Sequence, residues 1–152
     1  MIRAALAPLA SLALLLGACG PDPELRVDRG WVRLPAVPDR PAAVYFTVHG
    51  GPEDARLMNI TTSVAIRTEM HETMKEGGMM RMAPIDGVDI PAKGAVKFEP
   101  GGKHVMLYNL NPGIGAGDRV PLIFTFTNGL RIQYDALVQA AGDAAPQSEE
   151  KK

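Results

Sequence analysis

The sequence is short of cysteine, histidine and net charge, and each shortage narrows the range of possible functions. Its only cysteine is Cys19, so the chain cannot form an internal disulfide or a metal site built from several thiolates. Its three histidines, His49, His71 and His104, are the only imidazoles available to a metal. The formal net charge is −1 and no basic patch is present, so nothing indicates nucleic-acid binding.

The long apolar run of the sequence lies at its beginning. Residues 1–18 carry one positive charge, Arg3, followed by apolar residues that end in Leu-Gly-Ala before Cys19. The run is too short and wrongly flanked for a transmembrane helix, and it predicts a secretory signal peptide. Leu-Gly-Ala-Cys resembles the bacterial lipobox, which implies that Cys19 is acylated and becomes the new N-terminus. The alternative is ordinary secretion with an unmodified cysteine.

The expected organisation follows from this leader. We predict a lipoprotein signal peptide at 1–18, a lipidated N-terminus and tether at 19–26, a β domain at 27–139 and a disordered tail at 140–152. The lipid anchor would face the periplasm. Gly20 follows the cysteine in place of the Asp associated with inner-membrane retention, which favours the outer membrane.

The middle of the chain has the pattern of short strands separated by turns. Gly-Gly-Pro, Pro-Gly-Gly and Asn-Gly sequences separate runs rich in β-branched and aromatic residues. Asn128-Gly129 lies between two alternating runs, and it predicts a hairpin with a type I′ turn. The pattern is typical of a single-domain, all-β sandwich or barrel. The predicted strands cover residues 43–48, 63–70, 95–98, 104–110, 120–127 and 130–138.

Histidine and methionine recur in two places that could form one metal site. His104 and Met106 are two positions apart in a predicted strand, so their side chains would lie on one face. Five methionines lie between residues 70 and 82, in a segment that Gly77-Gly78 divides into two strands. Met80 and Met82 would likewise share a face.

The spacing of these residues resembles a known family signature. Ten residues separate His71 from Met82, twenty-one separate Met82 from His104, and one separates His104 from Met106. This pattern is similar to that of the PCu(A)C family of periplasmic copper chaperones. Further blocks that resemble the family occur in order at residues 30–35, 42–48, 69–72, 79–82, 90–94, 100–107 and 117–122.

The resemblance implies a cupredoxin-like Greek-key β-barrel or sandwich that binds one Cu(I). The ligands it implies are His71, Met82, His104 and Met106. It also implies delivery of copper to the copper A centre or another copper site of cytochrome c oxidase, together with a Sco-type thiol chaperone. No residue of this sequence names the recipient.

The donor chemistry agrees with this resemblance. Thioether sulfur is a soft and uncharged ligand that suits Cu(I) and is poor for Mg, Ca or Mn, while imidazole is acceptable to copper and zinc. Two thioethers and two imidazoles carry no negative charge, so the set favours a monovalent ion. A blue-copper electron carrier would need a Cys ligand beside two His, and a lipid-bearing Cys19 could not supply it.

Several neighbouring residues have alternative interpretations. Met80 could replace Met82 as a ligand, because it lies on the same strand face. Met70, Met74 and Met79 are expected to fill the core or to contact copper secondarily. The remaining expectations are that Glu72 is solvated or orients His71, that His49 is a surface residue at a strand end, and that Trp31 belongs to the core.

Three functions remain open at this point. A copper chaperone with a dedicated recipient is the first, and a copper-buffering or tolerance lipoprotein, suggested by the extra methionines, is the second. A metal-free β-sandwich that binds a protein or the cell wall is the third. We do not expect an enzyme, because the sequence suggests no nucleophile–base arrangement and no carboxylate pair at a credible site.

Overall fold

The computed structural model describes residues 23–146, which form ten β-strands. The predicted signal peptide, Cys19 and the last six residues lie outside this part of the chain. The strands are β1 Arg26–Arg33, β2 Ala42–His49, β3 Ala55–Thr61, β4 Ala65–Glu76, β5 Met79–Pro84, β6 Val88–Ile90, β7 Ala95–Phe98, β8 Lys103–Leu110, β9 Arg119–Phe126 and β10 Arg131–Gln139. Within residues 23–146, no helix is long and apolar enough to span a membrane.

The strands form one sheet that folds over on itself. Their order is β5-β4-β8-β2-β1-β10-β9-β3-β6, and β7 pairs with the other end of β2. The β1–β10 pair is parallel, whereas the other pairs are antiparallel. Strands β3 and β4 are far apart in this order, yet the Thr68 hydroxyl on β4 donates to the Ile60 carbonyl on β3. The all-β, cupredoxin-like fold predicted from the sequence is confirmed.

The core lies between the two halves of the folded sheet. In β9 every second residue is buried, which is the period expected of a strand with one face in the core. Phe46 on β2 stacks on Phe98 of β7 with ring centroids 4.2 Å apart, and it meets Phe124 of β9 edge-on at 4.8 Å. The Phe46–Phe98 contact lies within the paired strands β2 and β7, whereas the Phe46–Phe124 contact joins β2 and β9, which are not neighbours in the sheet, and helps to hold the two halves together.

The predicted type I′ turn occurs in the molecule, but at a different hairpin. Gly77 and Gly78 have φ values of 57° and 84°, and Glu76 pairs with Met79 across them. That two-residue loop with positive φ at both positions fits a type I′ turn. At Asn128-Gly129 only the glycine has positive φ, because the Asn128 side chain accepts the Leu130 N–H and a longer loop forms. The hairpin there is present, and its predicted turn type is wrong.

Strands β3 and β6 were not predicted from the sequence. The alternation in β3 is interrupted, with Met58 and Asn59 both exposed and a register shift between Leu57 and Asn59. Strand β6 has only three residues. Neither strand contributes to the site described below.

Candidate metal centre

The β5–β4–β8 part of the sheet places the four predicted ligands on one face. His71 on β4 lies directly opposite His104 on β8, and Thr73 on β4 lies opposite Met82 on β5. Paired residues in adjacent strands project to the same side, as do residues two apart in one strand. Met106 follows His104 by two positions on β8, so it shares this face. We call the side of β4, β5 and β8 that carries these four residues the ligand face.

The opposite face of the same strands belongs to the hydrophobic core. Met70 pairs with Val105, and both are buried in the main apolar cluster together with Leu107. Of the three extra methionines, Met70 is therefore a core residue. The register between β4 and β8 has no shift from Ala65 to Glu72, so the alternation of core and ligand positions is uninterrupted.

His104 is held in one orientation by a backbone carbonyl. Its Nδ1 lies 3.0 Å from the Gly102 carbonyl oxygen, and its Nε2 lies 2.9 Å from Met82 Sδ. A carbonyl oxygen only accepts hydrogen bonds, so in a neutral imidazole Nδ1 carries the proton and Nε2 presents a lone pair. Nε2 and the thioether sulfur therefore both offer lone pairs within 2.9 Å of each other. A soft cation bound by both atoms would be stabilised by this arrangement.

His71 is buried and has one nitrogen without a partner. Its ring centroid is 5.9 Å from that of His104, and the two planes are nearly perpendicular at 88°. His71 Nδ1 is buried and has no hydrogen-bond partner, whereas Nε2 lies 3.3 Å from Glu69 Oε2. A buried nitrogen without a hydrogen bond destabilises the folded protein unless another partner, such as a metal ion, binds it. The donor set therefore fits a metal ion bound by two imidazoles and by thioether sulfur.

The carboxylate beside His71 is Glu69, and the sequence analysis did not identify it. Glu72, which was considered for this role, points to the opposite face, where its Oε1 lies 2.6 Å from Lys103 Nζ. Glu69 lies two positions before His71 on β4, so the period of two could have located it. Burial first, and then the negative charge of Glu69, raise the pKa of Tyr108 on β8.

Exposure differs sharply between the nitrogen and sulfur donors. His71 and His104 are only 8% and 7% exposed, whereas Met82 is 51% exposed on β5, which ends the strand order. Met106 is half-buried between β4 and β2. The imidazoles are thus fixed inside the protein, and one thioether is open to a partner.

The remaining methionines of this hairpin are exposed. Met80 lies on the ligand face two positions from Met82, with 62% of its surface exposed, while Met74 and Met79 lie on the other face. With 46% and 74% of their surfaces exposed, Met74 and Met79 lie beyond the buried part of that face and are not core residues. Met82, rather than Met80, is the methionine in contact with a histidine.

The other two residues singled out in the sequence lie away from the ligand set. His49 ends β2, and its Nε2 is 3.0 Å from Asp28 Oδ2. Trp31 is buried, and its ring lies 4.7 Å from that of Tyr45 and 4.7 Å below the Arg33 guanidinium. Within residues 23–146, no three His, Cys, Asp or Glu side chains are grouped to hold a metal.

The comparisons with known proteins identify a lipoprotein family. The family model described as "Putative lipoprotein LpqE-like" matches residues 25–138. A relative, "Putative lipoprotein Lxx21020" of Leifsonia xyli subsp. xyli, is 29% identical over 106 residues, which are 69% of this chain. The chain spans 63% of the length of that relative.

The fold is also that of solved PCuAC domains. The copper-bound PCuAC domain from PmoF2 is 21% identical with a TM-score of 0.62, over 75% of this chain and 91% of that domain. The solution structure of Cu(I)-DR1885 from Deinococcus radiodurans is 24% identical with a TM-score of 0.58, over 84% of this chain and 85% of that protein. Its apo form gives 26% identity and a TM-score of 0.54, over 92% and 91% of the two chains. Copper, the metal expected from the donor set, is thus bound in two of these structures. The chain belongs to the LpqE-like lipoprotein family, and its β domain has the PCuAC fold that the spacing of its histidines and methionines suggested.

Proposed function

We propose that this protein is a Cu(I) chaperone that carries one ion on the ligand face of β4, β5 and β8. The proposed ligands are His71, Met82, His104 and Met106. The observation that carries the proposal is the 2.9 Å approach of His104 Nε2 to Met82 Sδ, with Nδ1 bound to the Gly102 carbonyl. The copper bound in the PmoF2 domain and in Cu(I)-DR1885 supports the choice of metal.

The arrangement of donors suits a protein that passes its metal on. All four proposed ligands are uncharged, so the bound ion is held by soft, exchangeable bonds rather than by charged thiolates. Met82 is exposed at the edge of the sheet, where a donor from a recipient could approach and replace it. The buried imidazoles of His71 and His104 would hold the ion until that exchange is complete.

Competition with a coloured Cu(I) chelator under anaerobic conditions tests copper binding. We expect one Cu(I) per chain, held more weakly in Met106→Leu and unchanged in Met79→Leu. The two methionines form a matched pair, because Met79 lies in the same three-strand segment but on the face away from the proposed ligands. A protein that retains no copper, or two variants that behave alike, would contradict the proposed site.

We further propose that the recipient is the copper site of cytochrome c oxidase, reached together with a Sco-type chaperone, as the family resemblance implies. A deletion strain grown in low copper tests this role. Loss of assembled oxidase, restored by the wild-type gene and not by a His104→Ala copy, is the expected result. Normal oxidase would exclude delivery to this recipient.

A copper-buffering role is the second candidate, and the exposed methionines favour it. Met74, Met79 and Met80 are 46%, 74% and 62% exposed on one hairpin, where soft donors without a structural role could take up further copper. The same deletion strain distinguishes the two roles. Copper sensitivity with normal oxidase supports buffering, and copper tolerance equal to that of wild type contradicts it.

For location, we propose a lipid anchor on Cys19 that faces the periplasm, in the outer membrane. The lipobox-like sequence and the family description as a lipoprotein support the anchor, and Gly20 supports the outer membrane. Fractionation of cells that express the wild type or Cys19→Ala tests both points. We expect the wild type in the outer-membrane fraction, and unprocessed or unanchored protein for the variant.

A further inference from the structure

Glu69 touches the proposed copper site without being one of its ligands. Its Oε2 lies 3.3 Å from His71 Nε2, its Oε1 lies 2.7 Å from Arg67 Nη1, and its backbone pairs with Met106. It is thus held from one side by a cation and faces the imidazole from the other. A carboxylate in this place can control the imidazole without contacting the metal.

The control would act on the proton of His71. An ionised carboxylate only accepts hydrogen bonds, so the ring nitrogen that faces it is stabilised with its proton and destabilised with a lone pair. The proton of the neutral ring then resides on Nε2, and the lone pair is left on Nδ1. Nδ1 is the buried nitrogen that has no hydrogen-bond partner.

We propose that Glu69 is a positioning residue that keeps the His71 proton on Nε2 and leaves Nδ1 to bind copper. This inference rests on the proposed function, because it concerns the same site. His104 has the opposite arrangement, since the Gly102 carbonyl holds the proton on Nδ1 and leaves Nε2 free. The two histidines would therefore bind the ion through different ring nitrogens, each selected by its own acceptor.

Arg67 fixes the carboxylate that makes this selection. Its guanidinium lies 4.1 Å from the ring of Tyr108, the residue opposite it on β8, and it holds Glu69 by the 2.7 Å contact. Arg67, Glu69 and His71 thus form a row of alternate residues along β4. The charge of Glu69 has a second effect, because four neutral ligands leave the positive charge of Cu(I) uncompensated and a nearby carboxylate stabilises it.

Glu72 provides a matched control for these effects. It is a glutamate of the same strand, adjacent to His71, but it lies on the opposite face and is paired with Lys103. If the mere presence of a carboxylate near His71 in the sequence were sufficient, Glu69 and Glu72 variants would behave alike.

The first test needs no copper. Nitrogen-15 NMR of the imidazoles in the metal-free protein, at mildly alkaline pH where a free imidazole is neutral, reports which nitrogen carries the proton. We expect His71 with its proton on Nε2 in the wild type and in Glu72→Gln. Glu69→Gln should keep most of this state, because an amide oxygen can also accept a hydrogen bond from Nε2, and Glu69→Leu should give a mixture. His49, beside Asp28, serves as an internal reference.

The second test measures Cu(I) affinity in the same proteins. We expect Glu69→Leu to weaken Cu(I) binding about tenfold. This is the lower end of the loss in metal affinity that follows when a group that hydrogen-bonds to a metal ligand is removed. Glu69→Gln should weaken it less, since only the charge is lost, and Glu72→Gln should not change it. If Glu69→Asp, unlike Glu69→Leu, binds Cu(I) with the wild-type affinity, the result would further support this role of the carboxylate.

The outcomes separate this inference from the proposed function. A proton on Nδ1 of His71 in the wild type, or an unchanged proton position in Glu69→Leu, would overturn the role of Glu69 even if copper binds. A shifted proton in Glu69→Leu together with no copper binding by the wild type would support the positioning of His71 and reject the chaperone. Loss of affinity equal in Glu69→Leu and Glu72→Gln would also overturn the inference.

Discussion

The two faces of the β4–β8 strand pair differ in chemistry although their residues alternate one by one along the chain. The core face carries Met70, Val105 and Leu107, which are buried among apolar neighbours. The ligand face carries His71 and His104, which are buried to a similar degree but have polar or sulfur contacts. A methionine on one face fills space, and a methionine on the other, Met82, contacts an imidazole. Residue type alone does not distinguish these roles, and strand register does.

The difference has a physical consequence for how stability and binding are distributed. Core residues contribute through the apolar area they remove from water, in rough proportion to that area. Residues on the ligand face satisfy few hydrogen bonds of their own, as the unpaired Nδ1 of His71 shows. Substitutions on the core face should therefore mainly lower the free energy of unfolding, and substitutions on the ligand face should mainly lower the Cu(I) affinity. A substitution that strongly changed both quantities would contradict this division.

The largest effect is expected on the core face, from Leu107→Ala. Leu107 is fully buried, and such truncations cost about 3 kcal/mol through lost transfer energy and the cavity left behind. Urea unfolding should show this loss, while the folded protein binds Cu(I) as the wild type does. Weaker binding by the fully folded variant would show that the two faces are coupled through β8.

The next largest effect is expected from His104→Ala on the ligand face. Loss of a group that hydrogen-bonds to a metal ligand already lowers metal affinity about 10–100-fold. Loss of the proposed ligand itself should therefore lower Cu(I) affinity about 100-fold or more. The metal-free protein should lose less free energy of unfolding than Leu107→Ala does, because the imidazole is polar and the Gly102 carbonyl still accepts the Thr73 N–H at 3.1 Å. Chelator competition and urea unfolding of the same preparation give both values. A large loss of stability would mean that His104 is mainly structural.

A smaller effect is expected from Met82→Leu, and Met80→Leu is its control. Both methionines lie on the ligand face of β5 and both are more than half exposed, but only Met82 Sδ contacts His104. We expect Met82→Leu to weaken Cu(I) binding about tenfold, or about 1.4 kcal/mol, and Met80→Leu to leave the affinity unchanged. The reverse order would make Met80 the ligand, which is the alternative that the sequence left open.

The sequence predicts much of this site because the site is built on strand periodicity. The period of two places His104 with Met106 and Met80 with Met82, and the family-like spacing relates the two pairs. It does not determine the cross-strand register, which depends on how the hairpin closes. The spacing already favoured Met82 over Met80, but the contact between Met82 and His104 became visible only in the fold, and so did the finding that Glu69, not Glu72, faces His71.

The turns show why register is difficult to predict from local sequence. Asn-Gly is the strongest short signal for a type I′ turn, but at Asn128 the side chain accepts a backbone N–H and keeps that residue out of the left-handed region. Gly77-Gly78 has less specific chemistry, since glycine is compatible with many turns. Pairing of the long β4 with β5 selects the type I′ form there, and this sets Met82 opposite Thr73.

The smallest effect is therefore expected at this turn, from Gly78→Ala. Gly78 has φ of 84°, and a Cβ atom there would meet no atom within 4 Å, so the cost is one of backbone conformation alone. For a residue with a side chain, that cost is about 1 kcal/mol, which urea unfolding can resolve. Gly77→Asn is the control and should be neutral, because asparagine tolerates the left-handed region at this position of the turn. Since the β4–β5 register depends on this turn, Gly78→Ala should also weaken Cu(I) binding slightly, and an unchanged affinity would show that contacts along the strands alone hold Met82 beside His104.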